Sequence, residues 1–294
     1  MCIRDRFRIV WSFWEQRDHM GEVRAWVNQL LPIADSLGHQ ARAELVWMAL
    51  ATAVEVGDDA AARSARERLA PLLVGIGDPY LHAVSRLTLA WSSPIVGDLD
   101  GALRGVLVAL EELRGQDEPY WTAVAALSAG YLETAVGRHD DAVGHLTEAR
   151  DLAARVDSAW LAAWSRVQLG TLALVRGRRE EAWALLEEGL DLSLAAHSTR
   201  SVSLCLAGFA QLAFVEGDAE RAARLVGAAE GLRQRVGVRA WPMLRRGEAE
   251  LVAQVRQALG SDRFEEVFAA GARLSQREAT AAMRDRRGAG ARAP

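Results

Sequence analysis

The sequence predicts an all-α protein, an α-solenoid of antiparallel helix pairs that repeat every 40 residues. The main observation is a glycine or arginine followed by a polar residue, which recurs at this spacing without an insertion. The copies are Arg17-Asp18, Gly57-Asp58, Gly97-Asp98, Gly137-Arg138, Gly177-Arg178 and Gly217-Asp218. Apolar residues before and after each copy follow helical spacing, so each copy lies between two helices. Such arrays bind, dimerise or transmit signals, and seldom carry out chemistry.

The turn and the helix after it have further shared features. A glycine just past a helix end adopts the left-handed conformation without a Cβ clash. Acidic residues then open the second helix, where they meet the positive end of the helix dipole. They are Asp100, Asp140, Asp141, Glu180, Glu181 and Glu220. A small residue follows five positions after most copies, which predicts a close helix crossing at Ala62, Ala102, Ala142, Ala182 and Ala222.

These positions resemble the tetratricopeptide pattern. Its first-helix glycine, turn glycine and second-helix alanine match Gly130, Gly137 and Ala142 in one copy, and Gly170, Gly177 and Ala182 in the next. The standard repeat has 34 residues, so this one is longer. Longer repeats of this sort resemble those of MalT-like and LuxR-type ATP-binding transcriptional regulators and related signalling ATPases. The resemblance implies a right-handed solenoid.

Further stretches resemble the same regulators. Trp11-Ser12-Phe13-Trp14 is similar to the start of their repeat region, and residues 217–230 and 258–271 are similar to their terminal repeat and closing helices. The likeness covers residues 7–280. The expected organisation is a non-native leader over 1–6, a helical repeat array over 7–236, capping helices over 237–275 and a disordered or frayed tail over 276–294.

Composition excludes several classes of protein. The longest uncharged run, residues 201–215, is shorter than the roughly 20 residues that span a bilayer, and no secretory signal is visible. We therefore expect a cytoplasmic protein that is not in a membrane. All 35 basic residues are arginine. Without lysine there is neither a Walker A loop of the usual kind nor a Schiff base, so the ATPase core of the resembled regulators is absent from this chain.

The sequence contains no motif for catalysis, for a cofactor or for a metal. His139, Asp140, Asp141 and His145 are the one local cluster, but their spacing makes the side chains diverge. Cys205 is expected to be a small buried apolar residue. A net charge of −4 argues against a nucleic-acid surface. Five arginines could form a local basic face but are expected instead to be solvated: Arg233, Arg235, Arg239, Arg245 and Arg246.

The resemblance implies a groove lined by the inner faces of the first helices. The residues carried over to it are Trp47, Trp91, Tyr131, Trp164, Leu204, Gln211 and Phe214. Aromatic side chains on such a wall hold a peptide or a small apolar effector, because they offer a large contact area with little loss of rotamer freedom. The alternative is that a tight superhelix buries the same side chains as core.

The function expected from these observations is that of a non-enzymatic sensor or interaction region without cofactors. The chain would be a fragment of a large transcriptional regulator or signalling ATPase. Its partner would be another protein or the regulator's own ATPase module, with a small-molecule effector and a homo-oligomer left open. The alternative is a freestanding scaffold for protein–protein interaction.

Overall fold

The computed structural model describes residues 19–284, and the regular secondary structure in this range is helical. The α-helices are α1 (Met20–Leu30), α2 (His39–Val56), α3 (Asp59–Leu69), α4 (Pro79–Ser92), α5 (Leu99–Arg114), α6 (Pro119–Ala135), α7 (His139–Arg155), α8 (Ala159–Val175), α9 (Arg179–Ala195), α10 (Thr199–Val215), α11 (Ala219–Arg235), α12 (Pro242–Leu259), α13 (Ser261–Ala272) and α14 (Gln276–Arg284). Short 3₁₀ helices cover Leu31–Ser36, Ala70–Leu72 and Ser93–Val96. The predicted all-α fold is confirmed.

The described residues form two compact units. Unit 1 contains residues 19–157 and the short stretch Val238–Met243, and unit 2 contains residues 158–237 and 244–284. Helix α2 packs on α3, α4 on α5 and α6 on α7 within unit 1. Helix α8 packs on α9 and α10 on α11 within unit 2. Each unit is therefore built from consecutive helix pairs.

The helix boundaries keep the 40-residue register of the sequence. The first helices of the pairs, α2, α4, α6, α8 and α10, begin at residues 39, 79, 119, 159 and 199. The second helices, α3, α5, α7, α9 and α11, begin at residues 59, 99, 139, 179 and 219. Arg17-Asp18 and the leader expected over residues 1–6 lie outside the described residues.

The glycine turns have the predicted left-handed backbone. The φ angles lie between 74° and 86° at Gly57, Gly97, Gly137, Gly177 and Gly217. Three of the residues that follow these glycines cap the second helix, because Asp58, Asp98 and Asp218 each accept a hydrogen bond from the backbone N–H three positions later. The turn prediction is confirmed, and the aspartates cap the second helices α3, α5 and α11.

A second set of left-handed residues repeats at the same interval and was not predicted. Asp117, Asp157 and His197 have φ angles between 50° and 53°, and Gly237 has a φ angle of 69°. They end the second helices, just before the next first helix is due. Aspartate and histidine tolerate this conformation better than most residues with a side chain.

The small residues after each turn lie at helix crossings, as predicted. Ala62, Ala102, Ala142, Ala182 and Ala222 are at most 1% exposed. A Cβ atom built on Gly130 would lie 2.5 Å from Leu146, and one built on Gly170 would lie 3.1 Å from Leu186. The first and second helices of these pairs therefore touch through small residues on both sides.

Replacing Ala182 with leucine is expected to destabilise unit 2 by about 1–3 kcal/mol, because the crossing has no room for three further carbon atoms. Thermal unfolding followed by circular dichroism should show a melting temperature lower by several degrees. Ala184 lies exposed on the same helix, so Ala184→Leu is the matched control and should leave stability within about 0.5 kcal/mol. Equal melting temperatures for the two variants would contradict the crossing.

The C-terminal helices complete the core of unit 2. Leu251 and Val255 of α12, Phe264 and Val267 of α13, and Met283 of α14 are buried in one apolar cluster. The capping helices expected over 237–275 correspond to α12 and α13. A disordered or frayed tail was expected to begin at residue 276, but Gln276–Arg284 form α14 instead. They do so because Ala279 and Met283 pack against apolar partners in unit 2.

Helix α10 accounts for the long uncharged run at residues 201–215. Most of its residues are buried, and Cys205 is fully buried among the apolar residues of unit 2, as expected. Burial raises the pKa of the Cys205 thiol to about 12, so the thiol is protonated and inert at neutral pH.

Across residues 19–284, the structure has no helix with the length and apolar character needed to cross a bilayer.

Candidate functional site

The first helices of unit 1 bring a row of aromatic side chains together. The centroid of the Trp121 ring lies 6.1 Å from that of Trp47 and 6.2 Å from that of Trp91. The three indoles come from α2, α4 and α6, and each is at most 4% exposed. Tyr131, on the same helix as Trp121, is half-buried. We call these four residues the first-helix wall.

Hydrogen bonds between neighbouring helices fix the orientation of the wall. The indole Nε1 of Trp47 donates to Thr88 Oγ1 at 3.0 Å, and that of Trp91 donates to Ser128 Oγ at 3.1 Å. Both hydroxyls donate in turn to the carbonyl four residues back in their own helices. Because both indole N–H groups have partners within the helices, Trp47 and Trp91 are held in place by the repeats themselves.

A segment from far along the chain lies against the wall. We call Val238–Met243 the docked segment, and it belongs to unit 1. The Trp241 ring centroid lies 5.2 Å from that of Trp91, and its Nε1 donates to Glu55 Oε2 at 3.1 Å. Trp241 is 4% exposed and Glu55 is 1% exposed. A buried carboxylate next to apolar rings makes a strong acceptor for this donor.

Two further hydrogen bonds hold the ends of the docked segment. The guanidinium of Arg239 donates to the backbone carbonyl of Gly57 at 3.4 Å, and the Tyr131 hydroxyl donates to the carbonyl of Met243 at 3.0 Å. The segment also approaches the Gly57 backbone closely, since a Cβ atom built there would lie 2.5 Å from Arg239 Cβ. Gly57 is thus needed for the turn and for the approach of the segment.

The sequence of the docked segment explains why the repeat stops here. Residue 238 is at the N-cap position of the first helices. Asp78, Ser158 and Ser198 provide side-chain caps there, whereas Gly38 and Glu118 do not, and valine has no side-chain acceptor for this purpose. Position 242 corresponds to His82, Thr122, Ala162 and Val202, whose backbone N–H groups make the first turn's hydrogen bond. Pro242 has no N–H. Residues 238–241 are therefore not helical, and α12 starts at Pro242 instead.

The predicted groove residues are divided between the units. In unit 1, Trp91 and Tyr131 contact the docked segment, and Trp47 lies in the same wall beside Trp121. Trp164 is buried in unit 2, with its ring centroid 5.0 Å from that of Trp160. Leu204, Gln211 and Phe214 are half-buried on α10, and Phe214 packs against the core of unit 2. Their role in binding an effector stays a prediction.

Three residues of the site were missed by sequence reasoning. Trp121 lies near the start of α6, at the repeat position of Leu81, whereas the groove positions carried over from the resemblance lie further along the first helices. Glu55 resembles an ordinary helical glutamate, yet it lies buried beside Trp241. The sequence around Trp241 did carry a signal. Gly237 still fits the 40-residue repeat, but Val238 and Pro242 do not fit the start of a regular first helix.

Other polar clusters have structural partners. The Nδ1 atom of His145 lies 2.7 Å from Oε2 of the fully buried Glu133, and Arg138 pairs with Asp141 at 2.8 Å. Residues 19–284 contain no group of three or more His, Cys, Asp or Glu side chains placed to hold a metal. Of the arginines expected to be solvated, Arg233 is instead buried beside Glu248, and Arg235 donates to backbone carbonyls.

Comparisons with known proteins identify the fold. No family model matches the chain, and no curated protein matches it. The structure is similar to BtubC (BKLC) from P. vanneervenii, with a TM-score of 0.54 and 18% identity over 74% of this chain and 91% of that one. It is also similar to a signal transduction ATPase with numerous domains from Pyrococcus horikoshii, which has a tetratricopeptide repeat sensor. There the TM-score is 0.55 and the identity 14%, over 90% of this chain and 48% of that one. This chain therefore has a tetratricopeptide-like helical repeat fold.

Proposed function

We propose that this chain is a non-enzymatic interaction region that binds a protein partner. One observation carries the proposal: the first-helix wall of unit 1 holds a non-helical polypeptide segment through a buried tryptophan, a carboxylate and backbone hydrogen bonds. A surface that binds its own chain in this way has the chemistry to bind a segment of another protein. We expect this binding to take place in the cytoplasm.

We further propose that the partner is an ATPase module of a larger signalling protein or transcriptional regulator of the LuxR or MalT-like type. The similar Pyrococcus horikoshii protein combines an ATPase with a tetratricopeptide repeat sensor, and this chain spans about half its length. The mechanism would be a shift of population, in which binding to the repeats favours one arrangement of the switch module over another. A small-molecule effector would act through the same equilibrium.

A freestanding scaffold is the second candidate. The observation that favours it is the similarity to BtubC, because the match covers 91% of that chain. A protein of comparable length can therefore consist almost entirely of this fold. In that case the partner would be a separate protein, and no ATPase module would be encoded next to this chain.

The native gene and a titration together separate these candidates. We expect the native gene to encode an ATPase module next to the region that encodes this chain. The purified module, added to the full chain, should change tryptophan fluorescence saturably, and light scattering should give the summed mass of the two proteins. A metabolite panel titrated in parallel would reveal a small effector. A neighbouring ATPase module that does not bind would contradict the signalling role, and a gene without such a module would favour the scaffold.

A further inference from the structure

The docked segment is joined to unit 1 differently from the rest of that unit. The helices of unit 1 pack through apolar faces that continue from one repeat to the next. The docked segment is not helical over residues 238–241, and its polar contacts include those of Arg239, Trp241 and Met243 described above. The partners of Arg239 and Trp241 are more than 180 residues away in sequence.

Within the first-helix wall, Tyr131 donates to the segment, but two of the indoles donate to neighbouring helices instead. The N–H groups of Trp47 and Trp91 donate to Thr88 and Ser128, which belong to neighbouring first helices. These bonds remain when the segment leaves. The segment is therefore a candidate for local release, because the contacts that it makes with unit 1 can break together while the helices of that unit persist.

The chemistry of the contact specifies what else can occupy the place. The occupant needs an indole beside Trp91, because Glu55 lies buried at the position where an indole N–H donates to it. It also needs a backbone carbonyl for the Tyr131 hydroxyl, two residues after the indole. A phenylalanine would fill the same space but leave the Glu55 carboxylate without this donor, and such a loss is costly at a buried site.

We infer that Val238–Met243 is an internal ligand that occupies the binding site of a partner protein's tryptophan-containing segment. This inference rests on the proposed function and adds both the chemistry of the partner and a form of regulation. The partner binds only when its segment displaces Trp241 from beside Trp91. Because the internal ligand is tethered, it is present at an effective concentration on the order of millimolar, which sets the threshold a partner must overcome.

A peptide of residues 234–247 of this chain, labelled with fluorescein, tests the inference by fluorescence anisotropy. It is added to the full wild-type chain and to the full Trp241→Ala chain. We expect the peptide to bind the variant about tenfold or more tightly, since the variant's own segment no longer competes. The matched control is the same peptide with phenylalanine in place of tryptophan, which should bind the variant about tenfold more weakly.

The outcomes separate this inference from the proposed function. Equal affinity for both proteins would overturn the inference, although the wall would still be a binding surface. Failure of the peptide to bind the Trp241→Ala chain would overturn it too, and the titration with the ATPase module would then decide the proposed function alone. Equal binding of the tryptophan and phenylalanine peptides would overturn the role of Glu55.

A second pair of variants covers the case in which Trp241→Ala does not fold. Gly57→Ala and Gly137→Ala impose the same left-handed strain, at φ angles of 76° and 81°, but only a Cβ atom at Gly57 meets Arg239. Arg239 is exposed, and trypsin cleaves after it once the segment is released. Mass spectrometry should show cleavage at this bond about fivefold faster in Gly57→Ala than in Gly137→Ala. Equal rates would overturn the inference.

Discussion

Replacing Gly231 with alanine is expected to destabilise unit 2 by about 3 kcal/mol, although the same change in an open helix is favourable. The reason is the crossing of α11 and α13, where the two backbones touch. A Cβ atom on Gly231 would lie 2.1 Å from the carbonyl oxygen of Ala272. Backbone atoms cannot move aside as a flexible side chain does, so the helices have to separate.

The same close approach occurs along the whole crossing. A Cβ atom on Gly227 would lie 2.1 Å from the carbonyl oxygen of Phe268, and one on Gly271 would lie 2.1 Å from that of Arg224. We therefore expect Gly227→Ala and Gly271→Ala to act in the same direction as Gly231→Ala. The contact of α13 with α11 has glycine on both sides, which explains how the two helices come so close.

Gly144 supplies the matched control for this prediction. It lies exposed in α7, and a Cβ atom built on it would have no atom within 4 Å. Gly144→Ala should therefore stabilise the chain by about 0.5–1 kcal/mol through helix propensity. Chemical denaturation followed by circular dichroism measures both variants, and hydrogen exchange assigns each effect to its unit. A Gly231→Ala protein as stable as wild type would contradict the crossing.

The repeats could be predicted because the residues that determine the turn and the helix crossing of each repeat lie close together in the sequence. Gly177 ends one helix and Ala182 marks the crossing of the next, and both signals lie within six residues of each other. Recurrence every 40 residues then removes the usual uncertainty about helix boundaries. Asp117, Asp157 and His197 carried the same kind of signal for the second turn, in residues less diagnostic than glycine.

The candidate site could be predicted only in part because it depends on contacts distant in sequence. Trp47, Trp91 and Tyr131 were identified through their positions in the repeat. Nothing near Glu55 indicates that it meets Trp241, since 186 residues separate them. Valine at position 238 and proline at position 242 show that a regular first helix cannot start there. They do not show that the docked segment packs against the first-helix wall.

Replacing Arg233 with methionine is expected to have the largest effect that depends on pH. Both terminal nitrogens of Arg233 donate to the Glu248 carboxylate at 3.0 Å, and one also donates to Glu230 at 3.2 Å. The Arg233 side chain is 6% exposed. Methionine keeps much of its apolar length but removes the hydrogen-bonded counter-ion of Glu248, which then has only the weaker attraction of Arg245. Breaking one side of a fully buried pair costs about 3–5 kcal/mol, and we expect the lower end of this range at neutral pH because the Glu248 side chain is 20% exposed.

Glu248 determines how this loss varies with pH. Burial raises the pKa of its carboxyl group, although the charge of Arg233 and its hydrogen bonds act in the opposite direction. A raised pKa in the folded state means that the carboxyl favours folding most at low pH, and that this contribution disappears as pH rises through the folded pKa. Removing Arg233 raises the pKa of Glu248 further. The stability difference from wild type should therefore be largest near pH 8.

Urea denaturation at pH 8 and at pH 4.5 measures this dependence, with wild type and Arg233→Met compared at each pH. We expect the deficit of the variant to shrink at pH 4.5, because a protonated Glu248 needs no counter-ion. The double variant Arg233→Met with Glu248→Leu is the control, since it removes both charges and should recover most of the lost stability at pH 8. A deficit that is the same at both pH values, with no recovery in the double variant, would mean that Arg233 stabilises unit 2 through packing of its aliphatic part.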